Sequence, residues 1–225
     1  ACAMMYASTG DKRFIDKLDY MLTELKICQD NDPDGWFITN NQNKNGLKKL
    51  LDGNLFLDHP DETKQPWNFN SNGNIWYSVH KVLAGLRDAL IYADREQAKP
   101  ILLKLANYIS YIVLNTNSDL FQSMLSVEQG GMNEVFTDLY VLTGDTQFLS
   151  VAEKFNHINV IYKIANNEDI LFGRHANDQI TKFSGLCHEY QYSNNEILKT
   201  AAENFWDIVR NNHTLVIGGN SCYER

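Results

Sequence analysis

The stretch YVLTGDTQFLSVAEKF, residues 140 to 155, reads as the end of one helix, a tight turn and the start of another. Val135, Leu139 and Leu142 lead into it at helical spacing, and Phe148, Val151, Ala152 and Phe155 leave it at the same spacing. Gly144 has no Cβ and can take the left-handed conformation that ends a helix; the carboxylate of Asp145 can cap the next one. The pattern returns in YASTGDKRFIDKLDYM from Tyr6, with Gly10 and Asp11 at the turn, and in YQYSNNEILKTAAENF from Tyr190. Tyr92 and the segment through REQAKPILLKLANYI form a fourth copy, with Pro100 tolerated near a helix start. Tyr140 and Tyr190 stand 50 residues apart, room for one helical pair and the loop to the next.

Working outward, the same periodicity marks Phe14, Leu18, Met21, Leu22 and Leu25, then Val79, Val82, Leu83, Leu86 and Leu90, then Ile101, Leu105, Ile109 and Ile112. Leu198, Ala201, Ala202, Phe205 and Ile208 close the series, and strand signals are nearly absent. The expected fold is all-α, built from antiparallel helical hairpins. Irregular segments are expected at 29–74, 115–131 and 166–177. Short turns then sit at one end of the stack, and the long loops gather on one rim with the N-termini of the helices they feed. The sequence begins with what reads as the last turns of a helix, and GGNSCYER reads as a closing loop. The expectation is a single, incomplete domain over 1–225. About seven to eight helices would form an arc whose open apolar edges suit pairing between copies.

With 20 Lys and Arg against 28 Asp and Glu, the formal charge of the 225 residues is −8. No run of Lys or Arg exceeds a pair, which argues against a nucleic-acid groove or an anionic membrane surface. No apolar stretch approaches the roughly 20 residues of a membrane span, and no signal peptide is recognisable. Uncharged small-molecule partners fit this balance. Cys2, Cys28, Cys187 and Cys222 form no CxxC and no disulfide framework. The first three read as small buried side chains, and a metal site at Cys222 would need ligands from elsewhere.

Candidate functional residues lie where the long loops end. NIWYSVHKVLAGLRDAL places His80 about one turn into a helix behind Trp76 and Tyr77, an arrangement suited to stacking a sugar ring and reaching its hydroxyls. Lys81 and Arg87 read as solvent-facing. In VEQGGMNEVF, Gly130 and Gly131 permit a sharp helix entry; Glu128 can accept from the free backbone donors there or from ligand hydroxyls. Glu134 reads as first-turn electrostatic support. His175 and Gln179, in FGRHANDQITKFSGLCHEYQYS, point to the same rim, while His188 and Glu189 read as packing or local hydrogen bonding. No HExxH, phosphate-binding glycine loop or nucleophile elbow is present.

The ordered blocks SVHKVLAGLRDAL, EQGGMNEVFTDLYVLTGDTQFL, GRHANDQITKFSG and HTLVIGGNSCYE resemble the catalytic domain of glycoside hydrolase family 127, the beta-L-arabinofuranosidases and their relatives. The resemblance spans essentially the whole chain. It implies an (α/α)6 toroid, an oligosaccharide or glycoside substrate from plant-type glycans, and glycan breakdown outside the cytoplasm. It further implies a retaining two-step displacement by a cysteine thiolate, held near zinc by other cysteines and a glutamate, with a glutamate as acid/base. Carried over by position, His80 and His175 would reach sugar hydroxyls, and Glu128 and Gln179 would belong to the same site. Gln129 stands where the resemblance implies a histidine, keeping a hydrogen-bonding group without the charge. The implied Glu-x-Cys segment and adjacent cysteines do not occur in this sequence. The expected reading is therefore the sugar-binding part of such a domain, with no cofactor of its own and zinc belonging to the full-length parent.

Two other readings stay open. One is a different toroid glycoside or uronyl hydrolase using paired carboxylates, with Glu128, Asp178 and Asp34 as candidates. The other is a non-catalytic helical domain binding carbohydrate or protein along a concave face.

Overall fold

The computed structural model describes residues 1–38, 41–54 and 75–220. Among these the chain is all-helical: α1 (Cys2–Thr9), α2 (Lys12–Asp30), α3 (Asn41–Leu51), α4 (Ile75–Ala93), α5 (Ala98–Asn115), α6 (Ser118–Met124), α7 (Met132–Thr143), α8 (Thr146–Lys154), α9 (Ile158–Ala165), α10 (Ala176–Ser193) and α11 (Glu196–Ile208), with a π turn at Val209–His213. No strand occurs among the described residues.

The repeated turn works as its residue types require. Gly10 (φ 67°) and Gly144 (φ 72°) end α1 and α7 in the left-handed region. Asp11 and Asp145 each accept a backbone N–H from two residues on, at 2.9 Å. Asn194 (φ 53°) and Asn195, which accepts from Ile197 N at 3.2 Å, repeat the device between α10 and α11. Asparagine tolerates the left-handed conformation and also caps, so the pair Asn-Asn replaces Gly-Asp.

These turns make the pairs α1–α2, α7–α8 and α10–α11, and residues 94–97 join α4 to α5; all four pairs pack as antiparallel hairpins. The first members also pack on one another in chain order, α1 on α4, α4 on α7 and α7 on α10; among the second members, α2 packs on α5 and α5 on α8, with α9 bridging to α11. The result is two layers of helices, an arrangement consistent with an α/α toroid. Helices α4, α7 and α10 all start at the end opposite the tight turns, so their N-termini share the long-loop rim.

Several sequence expectations are corrected. The expected irregular segments contain α3 and α6, and α9 follows α8 after a break at Asn156–His157, so the described residues alone hold eleven α-helices where seven to eight were expected. Gln122 of α6 bridges that break: its Nε2 donates to the Asn156 carbonyl at 2.9 Å and its Oε1 accepts from Ile158 N at 3.0 Å. Cys28 and Cys187 are exposed and Cys2 is half-buried, because they fall beside the apolar stripes of their helices and not on them. Cys222 and the segment DHPDETKQPWNFNSNGN lie outside the described residues, apart from its flanking helices.

The interior forms two apolar clusters. The larger joins α1 through α8 around Trp76, Phe121, Phe136 and Phe155. The smaller joins α9, α10 and α11, where Phe183 and Phe205 stack with centroids 4.0 Å apart.

Candidate functional site

The Gln129–Gly131 turn sets the geometry of the rim. Gly130 has φ 71°, and a Cβ there would lie 2.5 Å from the Trp76 carbonyl carbon and 2.6 Å from Tyr77 N. Only a residue without a side chain lets the loop rest on the first turn of α4. That contact carries Glu128 onto the same turn. Its Oε1 accepts from Tyr77 N at 2.7 Å, and the backbone amides of Trp76 and Ile75 add to the stabilisation. Glu128 therefore caps the neighbouring helix α4, and not α7, the helix it precedes. Its second oxygen, Oε2, is buried without a partner. Burial pushes the carboxyl up to about 7, with Asp178 adding to the rise and the amides opposing it.

Gly131, at φ 80°, faces the His80 ring; a Cβ would come 3.3 Å from Nε2. His80 is 8% exposed and its Nδ1 has no partner. Burial, reinforced by Lys81 and Arg87, lowers its pKa to about 4, so it is neutral at pH 7 and offers one donor and one acceptor. Trp76 sits below this layer. It is fully buried, donates from Nε1 to Met124 Sδ at 3.0 Å and packs edge-on against Phe155. The exposed aromatic of the turn is Tyr77, with Lys81 Nζ 4.9 Å from its ring centroid. Arg87 does not face solvent: it bonds Asp88 at 2.7 Å and Asp138, and His188 Nε2 lies 3.1 Å from the other Asp138 oxygen. Three helices, α4, α7 and α10, are tied through that group.

From the third loop, His175 is the exposed N-cap residue of α10, and Gln179 is buried one turn on. Gln179 Nε2 donates to Asp178 Oδ2 at 2.7 Å, while its Oε1 has no partner. The same Asp178 oxygen accepts from Lys182 Nζ at 2.9 Å. Lys182 also reaches the Leu125 carbonyl at 3.4 Å and lies 3.3 Å from His157 Nδ1. Burial lowers the lysine pKa and Asp178 opposes it; burial and the Lys182 charge bring His157 down to about 3, leaving Nδ1 free to accept. The Asp178–Lys182 spacing was visible as an i,i+4 pair. Its burial between two loops was not, because it depends on residues 125 and 157.

Glu128 on the first turn of α4 thus feels the charge of Asp178, which Gln179 bonds on the first turn of α10, and His80 sits one turn deeper in α4 against Gly131. Gln129 is fully buried with both ends of its amide hydrogen-bonded inside the protein. A cleft of about 500 Å³ opens beside Gln179, with Arg174 and Ile180 on one side and Phe205, Val209 and Leu215 on the other. Its walls are mainly apolar with a few polar groups, as suits a neutral polyol with an apolar face. Asp34, in contrast, is bound to Lys44 Nζ at 2.8 Å beside Asp32, in a brace on the first loop. Among the described residues no group of His, Cys, Asp and Glu is arranged to hold a metal ion, so zinc does not fit here. None of the described helices is long and apolar enough to cross a membrane.

A family model described as beta-L-arabinofuranosidase, GH127 catalytic domain, matches residues 1–225. No curated protein matches the sequence.

Proposed function

The chain belongs to the GH127 beta-L-arabinofuranosidase catalytic-domain family, and from that premise we propose that its long-loop rim binds a furanose of the β-L-arabinofuranoside type as the sugar-binding side of a retaining glycosidase site. The observation that supports the reading is that three buried side chains on or against the first turns of α4 and α10 carry polar atoms without a protein partner: Glu128 Oε2, His80 Nδ1 and Gln179 Oε1. Buried polar atoms cost stability unless something pairs with them, and sugar hydroxyls are donors and acceptors of the right kind. His175 at the lip of α10 and exposed Tyr77 would complete the contacts. Trp76 and Gln129 would act from beneath, holding the first turn of α4 and the entrance of α7. Glu128, near neutrality in its pKa, accepts a hydroxyl proton bond when ionised and donates one when protonated.

This sequence lacks a Glu-x-Cys segment and adjacent cysteines, so the reading assigns binding and orientation, and no bond-breaking step, to its residues. Titration of the chain with methyl β-L-arabinofuranoside, followed by ligand-observed NMR, tests it. Binding is expected, weakened roughly tenfold by His80→Ala through loss of one hydrogen bond. Saturation indistinguishable between this glycoside and an unrelated pyranoside would sink the sugar assignment. Hydrolysis of an aryl β-L-arabinofuranoside by the chain alone is expected to be negligible, and robust zinc-dependent turnover would overturn the division of roles. The exposed apolar side chains Phe172, Trp206, Val216 and Ile217 support self-association between copies, which sedimentation velocity would read as a dimer; a monomer removes that part of the proposal.

A further inference from the structure

A line of side-chain amides runs through the interior from the entrance of α7 to Glu189 in the last third of α10. Gln129 and Asn133 are 0% exposed, Glu189 1% and Asn156 7%. Gly131 N donates to Gln129 Oε1 at 2.7 Å, and Gln129 Nε2 donates to Asn133 Oδ1 at 2.9 Å. Asn133 Nδ2 donates to Asn156 Oδ1 at 3.4 Å, and Asn156 Nδ2 donates to the two carboxyl oxygens of Glu189 at 2.8 and 3.0 Å. Every link points the same way, from a backbone N–H to a carboxyl group.

Main-chain groups fix that direction independently. The Phe155 carbonyl accepts from Gln129 Nε2 at 3.3 Å, and the Lys182 carbonyl accepts from Asn133 Nδ2 at 3.0 Å. A carbonyl only accepts and Gly131 N–H only donates, so neither amide can be turned end for end without losing a main-chain bond. Glu134 N also donates to Asn133 Oδ1, at 3.0 Å. Opposite, α10 carries Gly185, where a Cβ would come 2.1 Å from Asn133 Oδ1. The helix presents bare backbone so that the amide fits.

Apolar side chains would pack these helices without the risk of an unmade buried hydrogen bond. What the line adds is a defined orientation for the Gly131 peptide, whose Cα faces His80. We propose that Glu189 is a positioning residue: through Asn156, Asn133 and Gln129 it fixes the Gly131 peptide and thereby the seat of the His80 ring. The significance of that seat rests on the sugar-site reading above; the relay itself does not. Its direction also explains the Gln129 side chain, which works as the last member of the line.

The test uses the whole chain without ligand and reads amide hydrogen exchange by ¹⁵N NMR. Glu189→Gln keeps an acceptor, so Gly131 protection should stay within about twofold of the parent; Glu189→Met removes it and should speed Gly131 exchange more than about tenfold beyond the change at α2 and α5 amides, which report global stability. An unchanged Gly131 in the Met variant, or an equal loss in the Gln variant, overturns the proposal. Should the Met variant fail to fold, the parent protein still decides. Slow, separately resolved carboxamide protons for Gln129, Asn133 and Asn156 support the relay, and exchange as fast as that of exposed Asn107 overturns it. An intact relay in a chain that binds no arabinofuranoside would sink the site reading and leave this proposal standing.

Discussion

Two carboxyl groups and two imidazoles dominate the response to pH. Glu128 and Glu189 are each pushed up to about 7, chiefly by burial. Between their ordinary carboxyl range and pH 7 the folded state holds protons that the unfolded chain has released. Their contribution is therefore complete at low pH and is lost as pH rises through the folded pKa. The linkage is at most roughly 3 kcal/mol per group. His80 and His157 are brought down to about 4 and about 3 by burial and nearby cations. Unfolded imidazoles take up protons first as the solution is acidified, so the histidines' contribution to stability falls below about pH 6.5 and opposes the carboxyl contribution there. The expected profile has its maximum on the acid side of neutrality. Urea melts of Glu189→Gln across pH 5 to 8 should lose much of the alkaline fall, and an unchanged slope would count against a buried, neutral Glu189.

Two glycines separate space from conformation. Gly130→Ala should cost well over about 2 kcal/mol, because it combines a positive φ with a Cβ driven into the α4 backbone. Gly144→Ala meets open space and should cost only about 1 kcal/mol, the strain of φ alone. Equal losses in chemical denaturation would mean that the loop does not rest on α4. The sequence marked both glycines as turn residues. It did not separate their roles, since the obstacle at Gly130 comes from residues more than fifty positions earlier.

At the level of elements, the hairpin turn is local and legible. Its helix end, left-handed residue and cap lie within a few residues of one another, and the structure reproduces all three in each clear copy. Asp145→Ala should destabilise by about 1 kcal/mol, and Asn195→Ala by a similar or smaller amount given its longer 3.2 Å bond; thermal melts check both. The short helices were hidden for a matching reason. NQNKNGLKKLL and SDLFQSM have too few apolar positions to show a period, and they fold because neighbours cover them: Leu47 and Leu50 of α3, and Phe121 and Met124 of α6, are fully buried. Arg87 misled in the opposite direction. A charged residue on an amphipathic helix usually meets water, but here Asp138 on another helix and Asp88 at its side hold it in a half-buried group.

For the whole molecule, the two apolar clusters predict uneven stability. Phe205→Ala removes the stacked partner of Phe183 from the smaller cluster and should cost about 3 kcal/mol. Protection of α9, α10 and α11 amides should fall before that of α4 and α5, whereas uniform loss would show a single cooperative unit.

Helical periodicity, turn chemistry and the order of the loop blocks by themselves determined the all-α hairpin architecture and the family of the chain, because each is written in residues close together in sequence. The proposal of a sugar site at the long-loop rim also starts from those blocks. Only the tertiary structure decided that Glu128 caps α4, that Trp76 and Gln129 lie beneath the surface, and that Asp178, Lys182 and His157 form one buried group. Those outcomes depend on burial and on partners brought from distant segments, and a charge or an amide takes its role from what surrounds it.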